Sequence, residues 1–168
     1  MSAQPAKPAQ KITPFLWFDD QAEEAARHYV SVFGGDARIV ETTHCTESAP
    51  GRTGSVLTVV FELYGQQYTA LNGGPQGWSF NESVSLAVDC DSQEEIDALW
   101  SALTADGGEP GPCGWLKDKY GLSWQIVPRE LRELLTSGGP AAADRVMAAL
   151  LGMKKLDVAV LRAAYDAN

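Results

Sequence analysis

Basic residues are scarce in this 168-residue chain: 13 Lys and Arg stand against 22 Asp and Glu, for a formal charge of −9. No basic cluster exceeds the pair Lys154-Lys155. Neutralising a phosphate backbone needs a basic face, so nucleic acid is excluded as an expected partner, and the acidity serves solubility. Histidine is rarer still, at two residues, and the three cysteines, Cys45, Cys90 and Cys113, are widely spaced. An odd, scattered set fits neither a disulfide framework nor a CxxC zinc site. It fits reduced thiols in the cytoplasm, with Cys113 set apart by its Gly/Pro loop. No apolar run reaches the roughly 18 residues of a membrane span. The chain also lacks a GxGxG loop, a GxSxG elbow and a P-loop. The stretch Met1–Lys11 has no apolar segment and is expected to be a flexible leader rather than a signal peptide.

What the chain does have is apolar residues, 45% of the total, and an internal echo. Leu16-Trp17-Phe18-Asp19-Asp20 precedes Gln21-Ala22-Glu23-Glu24, and Leu86-Ala87-Val88-Asp89-Cys90-Asp91 precedes Ser92-Gln93-Glu94-Glu95. Each is an apolar strand running into an acidic helix start, with Asp20/Glu23 and Asp91/Glu94 at capping-box spacing. The helices that follow carry Ala22, Ala25, Ala26, Tyr29 and Phe33 on one stripe, and Ile96, Leu99, Trp100 and Leu103 on the other. Both are expected to stop at a double glycine, Gly34-Gly35 and Gly107-Gly108.

A second echo follows in the same order. Tyr64-Gly65-Gln66-Gln67-Tyr68-Thr69-Ala70-Leu71 matches Tyr120-Gly121-Leu122-Ser123-Trp124-Gln125-Ile126-Val127 in aromatic, polar and apolar positions. Two ordered echoes imply duplication of a strand-helix-strand unit. In the first copy, β-branched runs at 37–46 and 54–63 predict two more strands; in the second, Pro110, Gly111, Pro112 and Gly114 predict shorter ones. Beyond Pro128 three helical stretches are expected, the last capped by Asp157, and their apolar faces suit packing on a sheet or a partner subunit.

These residues resemble the PhnB-like branch of the vicinal-oxygen-chelate (glyoxalase, bleomycin-resistance and dioxygenase) superfamily, a branch often labelled demethylubiquinone methyltransferase-type. The resemblance is carried by Ile12 to Phe18 with its helix, Leu71-Asn72-Gly73-Gly74-Pro75, Phe80-Asn81-Glu82, and above all the block from Cys113-Gly114-Trp115 through Tyr120-Gly121 to Val127-Pro128. It implies an α+β fold of two βαβββ modules, residues 11–75 and 80–128, whose curved mixed sheets surround a cavity. A leader at 1–10 and a C-terminal helical extension at 129–168 complete the expected organisation. The resemblance also implies a homodimer.

In related enzymes four pocket-facing side chains hold a divalent metal, two from each module. By analogy these positions fall near Thr13 and at Thr69 in the first copy, and near Ser83 or Ser85 and at Gln125 in the second. Hydroxyls and one amide are weak ligands, so neither a metal nor another cofactor is expected. His28 on a helix and His44 beside Cys45 on a strand do not replace them, because adjacent strand residues face opposite ways. Alternation from Thr13 brings Phe15 and Trp17 to the same side, and alternation from Gln125 brings Ser123 and Val127. Thr13, Phe15, Trp17, Thr69, Asn72, Ser85, Trp115 and Gln125 are therefore the expected cavity lining. They suit a small, partly planar organic molecule. The leading expectation is a metal-independent small-molecule-binding homodimer. A metal-dependent lyase, isomerase or dioxygenase, and a dimeric interaction module without a ligand, stand as alternatives. A methyltransferase using S-adenosylmethionine does not, for want of a glycine-rich loop.

Overall fold

The computed structural model describes residues 10–49 and 51–167, so nearly all of the expected leader lies outside the described residues. The chain divides into two compact units at Gly77/Trp78.

In the first unit, β1 (Phe15–Phe18) leads into α1 (Ala22–Phe33), followed by β2 (Arg38–His44), β3 (Val56–Leu63) and β4 (Gln66–Asn72). The sheet order is β1-β4-β3-β2, with β1 parallel to β4 and the other pairs antiparallel. Its core lies under α1. Ala22, Ala25, Ala26 and Tyr29 are fully buried, and Tyr29 stacks on Phe61, which stacks on Tyr68. Small residues on the helix let it sit close to the sheet, and the aromatics fill what remains. Gln10 is anchored despite its place in the leader: its amide donates to Gln67 O and accepts from Gln67 N–H, both at 2.9 Å, as a backbone neighbour would.

The start of α1 departs from the expected capping box. Asp20 and Glu23 make no cap. The helix begins after Gln21, and the Ala22 N–H donates to Asn72 Oδ1 at 2.8 Å. A side chain from the end of β4 thus satisfies an orphan donor that a local residue usually takes.

The second unit repeats the plan with β5 (Ser85–Cys90), α2 (Gln93–Leu103), β6 (Glu109–Pro110), β7 (Trp115–Lys117) and β8 (Ser123–Pro128), in order β5-β8-β7-β6. The prolines and glycines cut β6 to two residues and β7 to three. Ile96, Leu99 and Leu103 bury against Val88, Leu116, Trp124 and Ile126. The capping box is shifted by one residue from the expected pair: Ser92 Oγ accepts from Glu95 N–H, and Glu95 Oε2 accepts from Asp91 N–H. The helix also ends earlier than the double glycine, at Leu103, and passes through a 3₁₀ turn in which Asp106 takes φ 53°.

The helical extension comprises α3 (Leu131–Thr136), α4 (Gly139–Leu151) and α5 (Val158–Asp166), the last capped by Asp157. It has its own core of Leu134, Val146, Leu150, Leu156 and Leu161. It belongs to the second unit rather than standing apart. The Cys113 and Gly114 N–H groups donate to Met153 O and Lys154 O (2.8 and 2.7 Å). The Gln93 amide donates to Leu156 O (3.1 Å) and accepts from Val158 N–H (2.9 Å).

Candidate functional site

Side chains paired in register on neighbouring strands share a face, which allows the expected site residues to be placed one by one. In the first unit Phe15 pairs with Thr69 and Trp17 with Leu71. Leu16 and Phe18 are buried beneath α1, so Phe15, Trp17 and Thr69 occupy the face turned away from the helix. Phe15 is 64% exposed and Thr69 only 5%. Trp17 has spent its polar handle, since its Nε1–H donates to Gly74 O at 2.9 Å. Its ring lies so close to Gly73 that a Cβ there would come within 2.1 Å of two ring carbons. The indole and the Gly73-Gly74 turn are one packed unit, which explains why the two motifs occur together in this chain. Thr13 lies ahead of β1, in the segment whose Pro14 O accepts from Thr69 N–H.

Asn72 belongs elsewhere. It pairs in register with the buried Phe18, so it shares the helix side. Oδ1 accepts from Ala22 N–H and the amide donates to Val56 O (3.1 Å). Its side chain is committed to the fold and is not among the cavity-facing residues. The parity was present in the sequence, for if Thr69 faces one way, Asn72 three residues later faces the other.

In the second unit Ser85, Ala87 and Asp89 of β5, Ser123, Gln125 and Val127 of β8, and Trp115 and Lys117 of β7 share the face away from α2. Trp115 pairs directly with Gln125, and the Gln125 amide donates to Ser85 Oγ at 2.8 Å. The structure thus brings Ser85, Trp115 and Gln125 together. Ser83 lies outside β5 and is bonded to Asn81. Among the described residues no donor reaches the Gln125 carbonyl oxygen. The Ser123 hydroxyl is buried with no hydrogen-bond partner among the described residues.

Beside this cluster, β6 and β7 border a groove of about 460 Å³ that reaches Trp115, Lys117, Ser123 and Glu82. Glu82 has a partner that sequence reasoning missed: Lys117 Nζ lies 2.5 Å from its Oε1. This contact holds the Glu82 carboxyl below its ordinary range and raises the Lys117 ammonium above its own. Glu82 is therefore an ion-pair member and not a carboxylic acid kept protonated for proton donation. Alternation along β7 puts Lys117 on the Trp115 face, and that signal was available.

Ahead of β8, Asp118-Lys119-Tyr120-Gly121 forms an Asp-x-x-Gly turn whose aspartate organises the strand that follows. Asp118, 2% exposed, accepts at Oδ1 from the N–H groups of Tyr120 and Leu122 and at Oδ2 from Trp124 Nε1–H (2.8 Å). A buried carboxylate with three donors is well satisfied, and it fixes the start of the strand that carries Ser123 and Gln125.

Two βαβββ units, each with its first and last strands parallel and neighbouring, define a protein of the vicinal-oxygen-chelate class. A family profile described as 3-demethylubiquinone-9 3-methyltransferase matches residues 10–127. The chain belongs to that family, the one that includes PhnB proteins. A putative 3-demethylubiquinone-9 3-methyltransferase, PhnB protein, from Bacillus cereus is 36% identical over 71% of this chain and 99% of its own, with a TM-score of 0.61. The fold is shared with a Pseudomonas aeruginosa protein (18% identity, TM-score 0.59, covering 71% of this chain and 98% of the other). It is shared too with the fosfomycin resistance protein FosX of Mesorhizobium loti (16%, TM-score 0.53, 74% and 94%). A search of curated proteins found no match.

The class implies a divalent metal, and the residues here do not fit one. The positions that the resemblance assigns to its ligands, near Thr13, at Thr69, near Ser83 or Ser85, and at Gln125, hold neutral side chains, and two of these, Ser85 and Gln125, hydrogen-bond each other. Among the described residues no group of three or more His, Cys, Asp or Glu is placed to hold an ion. His44 lies exposed at the end of β2 next to the buried Cys45, and His28 lies on α1 with its ring 5.8 Å from that of Tyr29. A transition metal prefers imidazole, thiolate or carboxylate. None converges here.

Proposed function

We propose that this chain binds a small organic molecule without a metal, and that it works as a homodimer in the cytoplasm. The observation that carries the reading is the Ser85–Gln125 hydrogen bond, at positions near those that the resemblance assigns to metal ligands. A neutral hydroxyl and amide beside the Trp115 indole offer a planar surface with a few directed polar groups, which is how small-molecule sites are commonly built. In the second unit the exposed apolar side chains Trp78 and Val84 support an association surface. Three free thiols, two of them buried, support a reducing compartment.

The methyltransferase description asks for a parallel sheet with a glycine-rich loop after its first strand. Here the first strand runs into Asp19-Asp20-Gln21, and the strand order is β1-β4-β3-β2. We therefore do not extend that activity to this chain.

Metal analysis of protein purified without chelator, together with a thermal-shift screen of aromatic compounds, tests the reading. The expected result is metal far below one equivalent per chain and a saturable upward shift with some compounds, since a ligand of the native state stabilises it by mass action. Stoichiometric zinc, nickel, manganese or iron would defeat it. Sedimentation of the same sample tests the dimer.

A further inference from the structure

The residues matched by the family profile end at Val127. The helix that follows, α3, nevertheless borders the Gln125 end of the β5–β8 face and forms with it an open pocket of about 340 Å³. Leu131 and Leu135 of α3 and Val127 of β8 supply its apolar surface, while Gln125, Asp89 and Arg132 supply polar atoms. The wall is held firmly. Leu134, between the two lining leucines, is buried in the core of the extension, and Arg162 of α5 binds Glu130 at 2.8 Å just ahead of α3.

Size and chemistry narrow the occupant. Small-molecule pockets run from roughly 300 to 1,000 Å³, and a dry cavity of roughly 150 Å³ accepts benzene. This pocket therefore has room for one substituted ring. The Gln125 amide gives one of its two N–H groups to Ser85, and its carbonyl oxygen and the Asp89 carboxylate are two acceptors on the lining that suit a ligand donating an N–H or O–H. Asp91 engages Arg129, and Asp89 and Arg132 contribute one charge of each sign. No net charge is left to select an ion.

We infer that α3 walls a separate pocket at the Gln125 end of the β5–β8 face, beside the Trp115 groove, and that this pocket takes a neutral single-ring molecule carrying an N–H or O–H donor. The inference rests on the binding function proposed above and adds to it both the ligand class and the part played by the extension.

Calorimetric titration of the full-length protein tests it with four probes: benzamide, acetamide (no ring), N,N-dimethylbenzamide (no donor) and benzoate (charged). Benzamide should bind at least roughly tenfold more tightly than each of the others. Leu135→Trp, which fills the pocket, and Thr136→Trp, which blocks it from an exposed position and spares the core, should each weaken benzamide by roughly tenfold or more. Benzamide binding indifferent to both substitutions would overturn the wall while leaving the binding function intact. Tighter binding of benzoate or of the dimethyl compound would overturn the ligand class. If none of the four binds at millimolar concentration, this inference fails, while the proposed function stands or falls on its own metal analysis and compound screen.

Discussion

Ser85 and Gln125, forty positions apart, share a hydrogen bond of 2.8 Å across the parallel pair β5–β8. The resemblance to the class assigns a metal ligand near Ser83 or Ser85 and another at Gln125, and here Ser85 and Gln125 bond each other. A double-mutant cycle with Ser85→Ala and Gln125→Leu should return a coupling of about 0.5–1.5 kcal/mol in urea denaturation, the usual net worth of a partly buried neutral hydrogen bond. Strictly additive effects would mean the bond is not formed in solution.

Gly73→Ala should destabilise the first unit by about 1–3 kcal/mol, the ordinary cost of overpacking a fitted site. The added methyl would overlap the Trp17 ring, and the ring is tied by its Nε1–H to Gly74 O. Trp17→Leu should lose the tie but tolerate the methyl, so the double variant should be less unstable than the sum of the two single ones. Thermal denaturation of all four proteins decides this, and additivity would remove the steric explanation.

Much of this architecture was legible because it is written in periodicity. Alternation and the 3.6-residue stripe located β1 to β5, β8 and the helices, and the repeat joined them into two copies. Parity along β8 correctly sets Gln125 and Ser123 on one face and Trp124 on the other, against α2. The same rule, applied to β4, would have moved Asn72 to the helix side, where its amide holds Ala22 and Val56. Contacts that depend on side chains reaching across the fold were not legible. Nothing in the spacing of Asn72 and Ala22 announces a cap delivered from fifty residues away, and Glu82 finds Lys117 only once β7 lies beside the entry to β5. The role of α3 was hidden for a similar reason: its leucines read as an ordinary buried stripe, and only the turn at Pro128 brings them back to Gln125.

Stability should fall as alkaline pH passes through the range of Cys90. Burial, with smaller contributions from Glu95, Asp89 and Asp91, pushes this thiol up to about 12 from an ordinary value of 9.0, against a small opposing effect of Arg129. Between those values the unfolded chain releases the proton and the native chain retains it, so rising pH favours unfolding. The stabilisation is complete below pH 9 and disappears toward 12. Cys90→Ala should flatten this part of the profile relative to the parent between pH 8 and 10. Identical slopes would exclude Cys90 as its source. In the native protein at pH 8, a thiol reagent should label Cys113 ahead of the buried Cys45 and Cys90.

Gln93→Ala should loosen the extension. The amide stands in for a backbone neighbour at Leu156 and Val158, and its loss leaves a carbonyl and an N–H at the start of α5 without their partner. A cost of about 1–2 kcal/mol is expected. Hydrogen exchange should accelerate in α5 before it does in β8, because local openings begin where few buried contacts hold. Uniform acceleration across the second unit would show that the extension does not open separately.

Ser123→Ala should leave stability unchanged or raise it by up to about 1 kcal/mol, a direction opposite to most core substitutions. The serine is 1% exposed and its hydroxyl has no partner among the described residues, although Lys117 and Ser85 flank it in register. An unpaired buried hydroxyl carries a desolvation cost that alanine escapes, and the loss of one oxygen atom leaves only a small void. The comparison is informative in both directions. If urea denaturation shows the alanine variant losing more than about 1 kcal/mol, the hydroxyl is bonded in solution, and a molecule held in the Trp115 groove becomes the natural candidate for its partner.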